Sequence, residues 1–92
     1  MESSNLQLYD FKILRTVDAL GRASPDNAIT LVEIEEALPK VGRKSHMSTY
    51  KYVRKLADNG YLNRGFCDGL IITYFISDKG REFLKSVFQQ WL

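Results

Sequence analysis

Apolar positions in the first third of the chain recur at helical spacing. Tyr9, Ile13, Val17 and Leu20 stand four, four and three residues apart, with Leu6 and Leu14 beside them, which predicts an amphipathic helix over about 6–20 packed on a core. Gly21 reads as its stop, and Ala23-Ser24-Pro25-Asp26-Asn27 as a loop. Thr30 and Glu33 have capping-box spacing: the threonine oxygen accepts an unpaired amide proton while the glutamate reaches back to the threonine amide. A short helix over about 31–38 should follow, with Ile34, Ala37 and Leu38 inward and Glu33, Glu35 and Glu36 outward. Ala28-Ile29 leave room for a short strand before it, and Pro39 and Gly42 bracket the turn after it.

A third helix is predicted over about 45–59, stopped by Gly60 at a position that tolerates a left-handed backbone. Thr49, Val53 and Leu56 form its inward stripe, flanked by Tyr50 and Tyr52. At about 100° per residue, Lys44, Ser48, Lys51 and Lys55 fall on the opposite side, with Met47 and Arg54 at its margins. The pattern then turns to β over 61–67 and 70–76, separated by Asp68-Gly69, a strong signal for a two-residue hairpin because both turn positions need positive φ. Ser77 is placed to cap a last helix over about 78–92, where Leu84, Val87, Phe88, Trp91 and Leu92 make a broad apolar face with Phe83 beside it. The order of helix, helix, helix, hairpin and helix is a compact α+β arrangement, with 1–92 as a single domain.

Composition narrows the function classes. With 45% apolar and 26% charged residues the chain is an ordinary globular one. The longest apolar stretch, 70–76, is broken by Thr73 and falls far below the ~20 residues of a membrane span. No basic start followed by an apolar core marks a secretory leader. The single cysteine, Cys67, has no internal disulfide partner, and the single histidine, His46, does not complete a multi-ligand metal site with it. This usage points to the reducing cell interior, a cytoplasmic location, and against a histidine triad or a zinc enzyme. Neither a catalytic constellation nor a metal or cofactor is expected, which leaves binding.

The net charge of +2 hides an asymmetry. Residues 1–39 carry three cations against seven acids, a balance of −4, whereas residues 40–64 carry seven cations against Asp58 alone, a balance of +6. A basic segment inside a nearly neutral chain suggests local contact with a polyanion. Two short helices joined by a turn, the second with outward cations, match a helix-turn-helix, whose second helix enters the major groove of DNA.

Particular residues extend that reading. The run Ser48-Thr49-Tyr50-Lys51-Tyr52-Val53-Arg54-Lys55-Leu56-Ala57-Asp58-Asn59-Gly60-Tyr61-Leu62 resembles the recognition helix and first wing strand of PadR-like and MarR-like winged-helix regulators. Val53, Leu56 and Gly60 hold places in their L-x-x-L-x-x-x-G-L-I/V pattern, and Tyr61 and Leu62 open the wing. Tyr74-Phe75-Ile76-Ser77-Asp78-Lys79-Gly80-Arg81-Glu82-Phe83-Leu84 resembles the Y-x-[LI]-T-x-x-G-x-x-x-L that closes the wing. The resemblance covers the chain from Leu6 onward and implies a winged helix-turn-helix: three helices with the helix-turn-helix at about 31–59, a β-hairpin wing at about 61–76, and a C-terminal helix at about 78–92.

Helical geometry and this resemblance together place Ser45, Ser48, Lys51, Tyr52 and Lys55 at the groove of double-stranded DNA, and Arg43, Lys44, Arg54 and Arg64 on phosphates, with His46 beside them. The wing tip, Cys67-Asp68-Gly69, departs from the basic tips of DNA-reading wings, so a weak wing contribution is expected. Leu84, Phe88, Trp91 and Leu92 are expected to pair with a second copy, giving a homodimer with two recognition helices about one DNA turn apart. The alternative assignment of the last helix has Phe83, Val87 and Trp91 closing the monomer core. The single terminal helix provides no inducer pocket of the kind larger regulators build, so no small-molecule ligand is implied. A winged-helix module that binds protein through its last helix or its acidic second helix is the competing function.

Overall fold

A computed structural model describes residues 6–67 and 69–91, with side chains as far as Val87. Helix α1 spans Leu8–Ala19, strand β1 Ile29–Thr30, α2 Leu31–Ala37, α3 His46–Asp58, β2 Leu62–Arg64, β3 Thr73–Ile76 and α4 Asp78–Trp91. A single 3₁₀ turn, Pro25–Asn27, precedes β1. The sheet is antiparallel in the order β1-β3-β2. The α+β winged helix-turn-helix expected from the sequence is the architecture found.

The helix ends follow local chemistry. Glu33 N–H donates to Thr30 Oγ1 at 3.2 Å, and Thr30 N–H donates to Glu33 Oε1 at 3.0 Å, completing the capping box of α2. The Thr30 amide and hydroxyl hold the Glu33 carboxyl below its ordinary value. At the end of α3, Gly60 takes φ +83°; its N–H reaches Ala57 O at 3.1 Å and the Tyr61 N–H reaches Leu56 O at 2.9 Å. That pair of bonds is a Schellman motif, which satisfies two terminal carbonyls and needs a left-handed residue between them.

The core lies where α1, α2 and α3 meet the sheet. Ile13, Leu14, Val17, Ile34, Val53 and Leu56 have no exposure, and Ile29, Leu62, Tyr74 and Ile76 close the sheet side. Leu84 of α4 is buried in the same core at 4% exposure, with Phe83 and Val87 partly buried against it. Leu84, expected on a pairing surface, is thus packed in the core of its own chain; the side chains of Phe88 and Trp91, and Leu92, lie outside the described residues. Leu20 and Ala37, read as inward, are exposed at the ends of α1 and α2, while Leu38, the residue after α2, is buried.

The wing departs from the expected hairpin. A two-residue turn at 68–69 would pair Cys67 with Leu70, but the observed register is Leu62↔Ile76, Asn63↔Phe75 and Arg64↔Tyr74, one residue away from it. That register puts the buried Leu62 opposite the buried Ile76, whereas a slip of one would set core residues against the outer face. Burial decided the pairing, and residues 65–72 form an eight-residue connection between β2 and β3. Gly69 has positive φ, as the turn signal requires, and Asp68 lies outside the described residues.

α4 seats on the junction of α3 and β2. Ser77 Oγ donates to Gly60 O and accepts from the Gly80 N–H at 3.1 Å, while Lys79 Nζ donates to Asn59 O at 2.8 Å. A Cβ on Gly80 would collide with Tyr61 O and come within 2.8 Å of Ile76 Cγ1, which explains why this position carries glycine inside a helix. Gly80→Ala should lower stability by about 1–3 kcal/mol through overpacking, outweighing the helix-propensity gain of about 1 kcal/mol. Urea denaturation would check this, and an unchanged or raised midpoint would mean that α4 does not seat as closely as described.

Candidate nucleic-acid interface

Burial of Thr49, Val53 and Leu56 fixes the rotation of α3 about its axis. Lys51 then points away from the core and makes no hydrogen bond or ion pair among the described residues. Met47 is 61% exposed beside it, and Arg54 continues the same face. The remaining predicted residues are held by other parts of the chain to different degrees.

Ser45 is the N-cap of α3. Its Oγ accepts from the Ser48 N–H at 3.2 Å and donates to Ser48 Oγ at 3.1 Å, so both hydroxyls serve the helix start. His46 Nδ1 lies 2.7 Å from Glu35 Oε2 and ties α3 to α2. Arg43 donates through Nη2 to Leu38 O, the open C-terminal carbonyl of α2, and its Nε is buried without a partner. These three residues brace the turn between α2 and α3.

A second set faces α1. Tyr52 donates its hydroxyl to Gln7 Oε1 at 2.6 Å, and its ring stands edge-on to Tyr9 with centroids 5.0 Å apart. The Tyr9 hydroxyl and Thr49 Oγ1 are 2.7 Å apart across the buried seam, and the Lys44 N–H donates to the same tyrosine oxygen at 3.3 Å. Lys44 Nζ stands 5.5 Å from the Tyr9 ring centre and 5.9 Å from that of Tyr52. Lys55 Nζ donates to Asp10 Oδ2 at 3.0 Å and lies 5.1 Å from the Tyr52 ring centre. Asp10 itself has no exposure.

The sequence pattern gives little sign of this seam between α1 and α3: Gln7 carries no motif, Tyr9 falls on the core stripe, and Asp10 is one of the seven acids of residues 1–39. The sign it gives is that Asp10 stands four residues from both Leu6 and Leu14, on the stripe that packs inward, where a carboxylate must find a cation.

The wing side has a different character. Arg64 Nη2 and Arg54 Nε lie 3.7 and 3.9 Å from the two oxygens of Asp58, the one acid of the basic segment. All three side chains are half exposed, so these contacts are screened and readily exchanged. Beyond Arg64 the connection exposes apolar side chains: Phe66 at 69%, Leu70 at 100% and Ile71 at 54%. The sequence pattern had assigned Leu70–Ile72 to a strand. They precede β3, with Ile71 in an isolated bridge. Among the described residues, no three of histidine, cysteine, aspartate and glutamate converge as metal ligands would, and no helix is long and apolar enough to cross a membrane.

The Tyr9–Thr49 contact is testable by itself. Tyr9→Phe leaves the unexposed Thr49 hydroxyl without this partner and should cost about 1–3 kcal/mol. Thr49→Val combined with Tyr9→Phe should cost less than the sum of the single changes, because both polar groups then disappear together. Additive losses in chemical denaturation would show that the hydroxyls do not interact.

No protein-family model matches the chain, and no curated protein matches it in sequence. Solved structures do match it in shape. The chain is similar to hsRosR in its S1 complex, with TM-score 0.80 and 15% identity over 100% of this chain and 78% of that one. It is similar to MepR of S. aureus in a MepR–DNA complex, with TM-score 0.71 and 13% identity over 96% of this chain and 66% of that one. The Archaeoglobus fulgidus protein AF1382 matches with TM-score 0.65 and 15% identity over 97% and 91% of the two chains. The helix order, the three-stranded sheet and these likenesses together establish that the chain has a winged helix-turn-helix fold.

Proposed function

We propose that this chain is a small transcription regulator that binds double-stranded DNA with α3 in the major groove, acting as a homodimer. The observation that carries the reading is the outward face of α3, where Lys51 stands open between Met47 and Arg54 on the helix of a winged-helix fold that is positioned to meet DNA. The surplus of six positive charges over residues 40–64 supplies the attraction to phosphate. Likeness to a protein solved as a DNA complex supports the same reading.

In this reading Lys51 reaches into the groove and Ser48 lies along its edge. Arg54 and Arg64 exchange Asp58 for phosphate, which the exposure of all three permits. Ser45, His46 and Arg43 set the angle at which α3 leaves the turn, and Lys44 and Tyr52 form the border toward α1. Binding then regulates by occupying a promoter, in a reducing intracellular compartment, with no catalytic step, cofactor or small-molecule ligand required. Residues 1–92 act as one domain.

Fluorescence anisotropy on a mixed-sequence duplex across a salt series tests the reading. Affinity should fall steeply, with roughly 4–8 counterions released per dimer, and Arg54→Ala should reduce the slope by about 0.9 for each arginine removed from phosphate. Salt-insensitive binding would shift the reading to a protein-binding winged helix, which the exposed Phe66, Leu70 and Ile71 of the wing favour.

Pairing of two copies would present two α3 helices to a near-palindromic site. With Leu84 inside the core, pairing through the last helix falls to Phe88, Trp91 and Leu92. Sedimentation velocity at micromolar protein should give a dimer, and a monomer at that concentration would remove this part of the proposal.

A further inference from the structure

Asp10 is the one carboxylate among the described residues with no exposure, and it sits in the first turn of α1 under the edge of α3. Its Oδ2 accepts from the Gln7 N–H at 2.8 Å and from Lys55 Nζ at 3.0 Å. Its Oδ1 is buried with no hydrogen-bond partner. Among the described residues Lys55 is therefore the only side-chain cation on a carboxylate that has no exposure. The Lys55 side chain is itself about one-third exposed, and its ammonium lies 5.1 Å from the centre of the Tyr52 ring, which Gln7 holds in turn.

Moving Lys55 to a DNA phosphate would leave the Asp10 carboxylate buried with a single amide. Removing one partner from a buried charge pair is far more costly than a screened contact at a solvated phosphate can return. We propose that Asp10 is a positioning residue that claims Lys55 for the α1–α3 seam and so withholds one cation of the recognition helix from DNA in each protomer. This rests on the DNA-binding reading for its consequence, though the hold of Asp10 on Lys55 can be measured without DNA.

Two measurements on the full chain test it. In the first, lysines are acetylated with a limiting amine-reactive reagent and quantified by mass spectrometry, Lys51 serving as the reference in the same helix. Lys55 should react severalfold more slowly than Lys51 in the wild type, and Asp10→Asn should bring the two rates together without altering Lys51. Equal rates in the wild type would overturn the hold. General unfolding of Asp10→Asn would instead raise every lysine together, and the wild-type ratio would still decide.

In the second, Asp10→Asn should bind duplex DNA with a salt slope steeper by about 0.9 per protomer, because the released lysine becomes a phosphate ligand. The double variant Asp10→Asn with Lys55→Gln removes the released cation and should return the slope to that of the wild type. A salt-dependent wild type whose slope Asp10→Asn leaves unchanged would overturn the withholding while leaving the DNA reading intact. A wild type with no salt dependence would overturn the withholding together with the DNA reading, leaving the acetylation ratio as the measure of the hold alone.

Discussion

Everything on the outer surface of this protein depends on how α3 is turned about its own axis. Thr49, Val53 and Leu56 occupy the space between α1 and the sheet, and each step of one residue rotates the helix by about 100°. A turn of one position would expose Val53 and drive Lys51 toward the core. The orientation is fixed a second time by polar contacts along one edge, where Tyr9 meets Thr49, Gln7 meets Tyr52 and Asp10 meets Lys55. Apolar burial alone tolerates small rotations; hydrogen bonds with directional needs do not.

That seam also changes what the charge of the basic segment means. A count of seven cations over residues 40–64 describes a field, and the field attracts polyanions wherever its charges are anchored. Contact is a different matter. Arg43 is committed to the end of α2, Lys55 to a buried carboxylate and Lys44 to two aromatic rings, while Arg54 and Arg64 share one exposed acid. Lys40 is exposed in the turn after α2, and Lys51 is left open on the face of α3 that the fold turns outward. Charge that appears uniform along the sequence is divided in space into bracing and reaching groups.

The wing shows a local signal yielding to a global one. Asp68-Gly69 favours a tight two-residue turn, and its stabilisation is confined to those residues. The pairing of Leu62 with Ile76 and the burial of Tyr74 involve the whole sheet and the helices beneath it. A single register satisfies only one of them, and core burial is the larger quantity. The connection beyond Arg64 carries exposed Phe66, Leu70 and Ile71, giving the wing an apolar character where a DNA-reading wing would be basic.

Much of the fold was legible along the chain because its signals are local. The Thr30–Glu33 box, the Ser45 cap, the Gly60 stop and the helical spacing of Val53 and Leu56 each act within a few residues, so the sequence by itself determined the element order and the outward face of α3. The glycine of the closing motif was visible too, but its reason was not: only packing shows that the backbone at Tyr61 passes where a side chain at position 80 would stand. Likewise, Asp10 was recognisable as a charge on an apolar stripe, while its partner lies 45 residues away on another helix. The tertiary structure alone decided the wing register, the burial of Leu84 and the commitment of Lys55, because each depends on which distant surfaces exclude water from a given group.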